Sequence, residues 1–227
     1  MTPLLLDLFC GAGGASMGLS RAGFDVFGVD IHPQPRYPHE DRFTQADAME
    51  IPLDGFDAIW ASPPCQRFSG ATPEANREKY PDLIAPLRDR LRASGVPYVI
   101  ENVDGAPLLD ASVLRGDMFG LGVIRRRRFE SNVLVMIPPM PSKTPVLGEG
   151  YVCVAGAWRN QDRRGPRERW TKPYPCDLAS WSEAMGIDWM IRRELVQAVP
   201  PAYSEFLGRQ LIRYVQPDAL IAPGAME

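Results

Sequence analysis

Ser62-Pro63-Pro64-Cys65-Gln66-Arg67 follows the apolar run Ala58-Ile59-Trp60-Ala61, which sets a cysteine just beyond a buried strand and behind two prolines. Two prolines fix successive backbone angles and remove two N–H donors, so this turn cannot serve a β-ladder but can hold a side chain over a cleft. A lone cysteine is most often a small buried hydrophobe. As a nucleophile it needs partners: an acid or base within reach, positive charge to favour the thiolate, and a shaped pocket.

Candidates for each are present. Glu101 closes the apolar run that begins at Val96, and Arg125-Arg126-Arg127-Arg128 supplies positive charge. Phe9-Cys10-Gly11-Ala12-Gly13-Gly14 is a glycine turn between a strand and a helix, where residues without a Cβ allow close approach of a ligand and the helix N-terminus favours a negative group. Asp30, nineteen residues after Gly11, is placed to accept ribose hydroxyls. Asp47, past the third strand, is a further polar contact, suited to an adenine amino group. No phosphate-loop lysine follows the turn, so phosphoryl transfer is disfavoured, and a cofactor with an adenosine end and an amino-acid end fits better than a triphosphate.

The elements that must position these groups alternate. Strands are expected at Pro3 to Phe9, Asp25 to Asp30, Arg42 to Ala46, Asp57 to Ala61 and Val96 to Glu101, with helices over Gly14 to Ala22 and Leu83 to Arg92. That order predicts an α/β fold with a Rossmann-like, doubly wound and mostly parallel sheet, whose ligands bind outside the carboxyl ends of the strands. Residues 130–175 are rich in proline, glycine and arginine and show little period, so short strands and loops are expected there. Helices follow near Leu178 to Met185, Ile191 to Ala198 and Ala202 to Tyr214, and Pro217 to Glu227 reads as a loose tail.

A chain of 227 residues that is 45% hydrophobic can bury one good core. No stretch is apolar enough to span a bilayer, and the N-terminus reads as a strand rather than a leader, so a cytoplasmic protein without a membrane partner is expected. Cys10, Cys65, Cys153 and Cys176 are widely spaced, which suggests neither a zinc site nor a disulfide framework. The net charge of −3 hides an asymmetry: residues 125–172 carry 11 basic and 4 acidic groups. Trp158 and Trp170 lie among Arg159, Arg163, Arg164, Arg167, Arg169 and Lys172, a composition suited to phosphate contact and base stacking.

Five blocks in this order resemble the DNA cytosine carbon-5 methyltransferases that use S-adenosylmethionine: Asp7 to Gly14 the cofactor turn, Pro63-Pro64-Cys65-Gln66 the nucleophile motif, Glu101-Asn102-Val103 the acid motif, Arg126-Arg127-Arg128 the arginine motif, and Ala198-Val199-Pro200-Pro201 the closing motif. The resemblance implies the class I methyltransferase fold with a small irregular target-recognition insertion. Its domains would be a core at 1–129, a recognition region at 130–176, returning helices at 177–216 and a tail at 217–227. It sets S-adenosylmethionine against Asp7, Phe9, Gly11, Gly13, Gly14, Asp30, Asp47 and Pro63.

In the mechanism it implies, the Cys65 thiolate adds to carbon 6 of a cytosine and makes the ring an enamine, while Glu101 binds ring nitrogen 3 and delivers a proton. Arg126 and Arg128 would hold the cytosine carbonyl and adjacent phosphate and favour the thiolate, the Pro64 carbonyl would accept from the amine, and Asn102 would order the Pro63-Pro64 turn. The target base would be flipped out of double-stranded DNA, with residues 66–80 closing over it and Gln66 and Ser69 reaching the substrate. Arg163 is a candidate reader of base edges in a short recognition segment. The compact form resembles bacteriophage enzymes, and a monomer is expected. Two departures stand out: Ile124 where the family has glutamine, and Val196-Gln197 where it has Gly-Asn. An RNA cytosine methyltransferase and a non-catalytic nucleic-acid-binding relative are the alternatives.

Overall fold

The computed structural model describes residues 1–143, 145–154 and 177–216. Its strands are β1 (Leu4–Leu8), β2 (Asp25–Asp30), β3 (Phe43–Gln45), β4 (Ala58–Ala61), β5 (Tyr98–Asn102), β6 (Ser112–Leu114) and β7 (Arg127–Ser131). Its helices are α1 (Gly14–Arg21), α2 (Glu74–Arg77), α3 (Ile84–Ser94), α4 (Leu178–Met185), α5 (Arg192–Leu195) and α6 (Pro201–Val215). The strands form one sheet in the order β3-β2-β1-β4-β5-β7-β6, parallel from β3 through β5 and antiparallel where β7 pairs with β5 and with β6.

β4 and β5 are buried throughout, which explains why Ala-Ile-Trp-Ala and Tyr-Val-Ile run as continuous apolar segments rather than alternating. One face of the sheet packs Leu5, Trp60, Val99 and Phe129 against α1 and α6 through Leu19, Tyr203, Leu207 and Leu211. The other packs Leu6, Leu8, Ile59 and Ile100 against α3 through Ile84, Leu87 and Leu91. The α1–α6 approach needs small residues, because a Cβ on Gly18 would stand 2.1 Å from the Pro201 carbonyl oxygen. The chain leaves β1 toward β2 on one side and β4 toward β5 on the other, so a crevice opens where the carboxyl ends of β1 and β4 lie side by side.

The expected doubly wound, mostly parallel sheet is present, and β1 to β5 fall where the apolar runs place them. β6 and β7 were not expected. β7 begins inside the arginine run and crosses the expected core boundary at residue 129. Beyond it, Val133, Val135 and Ile137 still pack on the α1–α6 side of the core, so the core extends into what the sequence reading assigned to the recognition region. Among the described residues no helix is long and apolar enough to cross a membrane.

Candidate active site

Cys65 sits four residues past the end of β4. Its carbonyl accepts from Phe68 N at 3.0 Å and Ser69 N at 2.9 Å, so the chain turns tightly once the prolines end. Pro63 is buried and Pro64 exposed. Asn102, at the end of β5, donates from Nδ2 to the Pro63 carbonyl at 2.9 Å and so ties the turn to the sheet. Glu101, one residue earlier on β5, points to the opposite face of the sheet, is 6% exposed, and meets Arg127 Nε at 2.9 Å.

β7 decides which arginines take part. A strand alternates its side chains, so in the run 125–128 only every second residue can share a face with Glu101. Glu101 lies opposite Phe129 in the β5–β7 register, which puts Arg127 on the Glu101 side as a diagonal neighbour. Arg125 is 4% exposed, donates to the Val154 carbonyl at 2.9 Å and the Val196 carbonyl at 2.6 Å, and acts electrostatically on both Cys65 and Glu101. Arg126 and Arg128, the two expected at the site, face the other way: Arg126 pairs with Asp104, and Arg128 donates to the carbonyls of Asp104, Ala106 and Leu108. Arg125 and Arg127 therefore replace Arg126 and Arg128 beside Cys65 and Glu101.

A cleft of about 710 Å³ joins this group to the glycine turn. Asp7, Phe9, Gly11, Gly14, Asp30, Pro63, Pro64, Cys65, Gln66, Glu101 and Arg127 line it, together with Arg193, Glu194 and Gln197 from the C-terminal helices. Gly11 has φ +51° and open space where a Cβ would stand, whereas Gly13 at φ +79° lies against Pro38 and packs the turn rather than the cleft. Phe9 holds φ +60°, a strained value for a side-chain-bearing residue. Asp30 Oδ2 accepts from Gly11 N at 3.0 Å and Oδ1 from His32 N at 2.9 Å, so this carboxylate shapes the turn, and each oxygen keeps a lone pair for a ligand. Asp47 does not line the cleft; its Oδ1 accepts from Met49 N and starts the turn after β3. Ser69 likewise lies off the cleft, accepting from Ala71 N. Arg163 lies outside the described residues.

The electrostatics differ from expectation at the thiol. Burial raises the Cys65 pKa, and the lowering by Arg127 and Arg125 does not offset it, with Glu101 adding to the rise. Burial also raises Glu101 above the ordinary carboxyl range, against Arg127, Arg125 and a hydrogen bond with Ser62. An acid held toward its neutral form is suited to giving a proton to a ring nitrogen. Burial pushes Arg125 down to about 9, which leaves it cationic at neutral pH.

Residues 4–107 match the family described as C-5 cytosine-specific DNA methylase. That stretch, just under half of the chain, is similar to the C-5 cytosine-specific DNA methylases. The chain is 26% identical over 133 residues to the type II methyltransferase M.AgeI of Thalassovita gelatinovora, an alignment covering 50% of this chain but only 30% of the relative. Its fold is similar to that of an E. coli protein described as a DNA modification methyltransferase encoded within a prophage, with a TM-score of 0.61, 17% identity, and coverage of 94% and 99% of the two chains. It is also similar in fold to the S. pombe Dnmt2 methyltransferase, with a TM-score of 0.60, 14% identity, and coverage of 93% and 98%.

The matched family implies S-adenosylmethionine as methyl donor, and the cleft suits it: the volume is that of a small-molecule site, Gly11 leaves backbone open to a ligand, and Asp30 offers acceptors. Sequence reasoning missed Arg127 and Arg125 as the site arginines, and the signal was available. Phe129 is the first apolar residue after the run and must face the core, so counting back by twos selects Arg127 and Arg125.

Proposed function

We propose that this chain methylates carbon 5 of cytosine in double-stranded DNA through a covalent adduct on Cys65. The observation that carries the reading is the shared wall of Cys65, Glu101 and Arg127, a nucleophile beside a buried acid and its cation. S-adenosylmethionine, bound beside the glycine turn, supplies the electrophilic methyl group.

The chain's own groups do the rest. Cys65 loses its proton and its sulfur bonds to carbon 6 of a flipped cytosine, while Glu101 gives its proton to ring nitrogen 3, so the electron pair displaced from the ring double bond is held at carbon 5. Arg127 and Arg125 steady the negative charge left on Glu101. The exposed Pro64 offers its carbonyl to the exocyclic amine. After carbon 5 is substituted it gives its proton to water in the cleft, that electron pair re-forms the 5,6 double bond as the carbon–sulfur bond breaks and the thiolate leaves, and ring nitrogen 3 returns its proton to Glu101. Phe9, Gly11, Asp30 and Pro63 hold the cofactor, whereas Gly13 and Gly14 act through packing, since a Cβ on Gly14 would meet the Val199 carbonyl at 2.5 Å.

The test is incubation of the protein and S-adenosylmethionine with duplex DNA of varied sequence or with tRNA, followed by nucleoside analysis. The expected result is 5-methylcytosine in the duplex, lost in Cys65→Ala. 5-Methylcytosine in tRNA alone would overturn the choice of DNA, and its absence from both with folded, cofactor-binding protein would overturn the reaction.

A further inference from the structure

Arg128 and Glu130 make one face of β7 wholly charged, and Arg126, just before the strand, extends it. All three reach the loop that follows Glu101 and Asn102. Arg128 donates to the carbonyls of Asp104 at 3.4 Å, Ala106 at 3.1 Å and Leu108 at 3.3 Å, gripping alternate residues of the loop. Glu130, 3% exposed, takes a two-pronged pair from Arg88 of α3 at 2.6 and 2.7 Å and also accepts from Leu109 N at 2.9 Å. Arg88 in turn donates to the Pro107 carbonyl at 2.7 Å. A fork of N–H donors over successive carbonyls stiffens a loop that has no ladder of its own.

This loop touches the nucleophile turn. A Cβ on Gly105 would stand 2.5 Å from the Phe68 carbonyl oxygen, so backbone lies against backbone there, and Phe68 N is one of the two donors to the Cys65 carbonyl. Asn102 bonds the same turn from its other end, at Pro63. Ala106, Leu108 and Phe68 share the α3-side core.

We propose that residues 104–109, held by Arg128 and the Arg88–Glu130 pair, are a buttress that fixes Cys65 from behind, and that Gly105 and Arg128 are positioning residues. The proposal rests on Cys65 being the working nucleophile. In it the two faces of β7 divide the work: Arg125 and Arg127 set the charge around Cys65, and Arg128 and Glu130 set its place. Gly105 is required because any side chain would push the Phe68 carbonyl and with it the turn.

The experiment uses the full chain and reads two things. The first is the pH profile of Cys65 alkylation by iodoacetamide, followed at that residue by peptide mass spectrometry, which needs neither DNA nor cofactor. The second is single-turnover methyl transfer to duplex DNA beside the affinities for DNA and S-adenosylmethionine. Gly105→Ala and Arg128→Ala are expected to shift the alkylation profile and slow transfer, by about a hundredfold if the turn moves by about 1 Å, with both affinities within about twofold of wild type. Arg128→Lys keeps the charge but cannot span three carbonyls, and should fall between. Gly70→Ala, in the loop between β4 and α2 and with open space for its Cβ, should leave the alkylation profile unchanged. An alkylation profile equal to wild type in folded Gly105→Ala and Arg128→Ala overturns the buttress. A shifted profile in a protein whose wild type transfers no methyl keeps the buttress and overturns the proposed reaction instead.

Discussion

The proposed chemistry needs a thiol that ionises and a carboxyl that stays protonated; Cys65 and Glu101 both line the cleft, and burial raises the pKa of both. For Glu101 this helps the proposed chemistry; for Cys65 it opposes it, and Arg127 is the strongest opposing charge. Arg127→Ala should therefore move the alkylation profile of Cys65 further toward alkaline pH, with Arg127→Lys close to wild type. A profile unmoved by Arg127→Ala would show that the charge does not reach the thiol. Glu101→Gln should slow methyl transfer by about 10²- to 10⁴-fold without weakening cofactor binding. Asp7 gives a prediction about stability. Its carboxyl is wholly buried, takes a hydrogen bond from Ser16, and is raised from 3.8 to about 7, chiefly by burial. Because the folded value lies above the unfolded one, its contribution is complete below about pH 3.8 and is lost as pH rises toward 7, at no more than ~1.4 kcal/mol per pH unit. The stability difference between Asp7→Asn and wild type should drift across that window in denaturant titrations, in favour of the variant at higher pH; a constant difference would contradict it.

At the scale of elements, α1 and α6 are the helices through which the glycine turn meets the C-terminal part of the chain. Their contact rests on Gly18 against Pro201 and Ser204 and on Gly208 against Ala22. Gly18→Ala would put a methyl group 2.1 Å from a carbonyl oxygen, and overpacking of that kind costs about 1–3 kcal/mol, seen as a fall in melting temperature. An unchanged melting curve would mean that the helices separate freely. Elements also divide what was legible in the sequence. β1 to β5 and helices α1, α3, α4 and α6 carry their own signals: continuous apolar runs for buried parallel strands, helical periods, and glycines at helix ends such as Gly95 and Gly186. β7 carries one weak signal, the core-facing Phe129, since four arginines in a row conceal the alternation before it; each face of the strand holds an arginine because each finds a carboxylate or carbonyls. With β7 unread, Arg126 and Arg128 were placed at the site by motif position alone, one residue out of register. Cys65, Glu101 and Asn102 were legible because strand ends and proline turns fix them locally. The balance of burial and charge at the thiol was not, because it depends on what the whole fold stacks around it.

For the molecule as a whole, the sheet and the elements after it bring residues from Asp7 to Gln197 around one cleft, and the basic segment between Arg159 and Lys172 lies outside the described residues. If that segment meets DNA phosphates, binding weakens with salt, with a slope in log K of about −0.9 per contact. Replacing Arg159, Arg163, Arg164, Arg167 and Arg169 by alanine should flatten that slope and leave cofactor affinity unchanged. An unaltered slope would place the phosphate contacts elsewhere.

Attack by Cys65 on carbon 6 can be read by mass spectrometry of the protein after incubation with S-adenosylmethionine and duplex DNA in which 5-fluorocytosine replaces cytosine, since fluorine blocks loss of the carbon 5 substituent and traps the adduct. A covalent protein–DNA species whose mass includes one methyl group, joined through Cys65 and absent in Cys65→Ala, is the expected result. Methyl transfer to unmodified DNA with no trapped species, or an adduct that persists in Cys65→Ala, would contradict it.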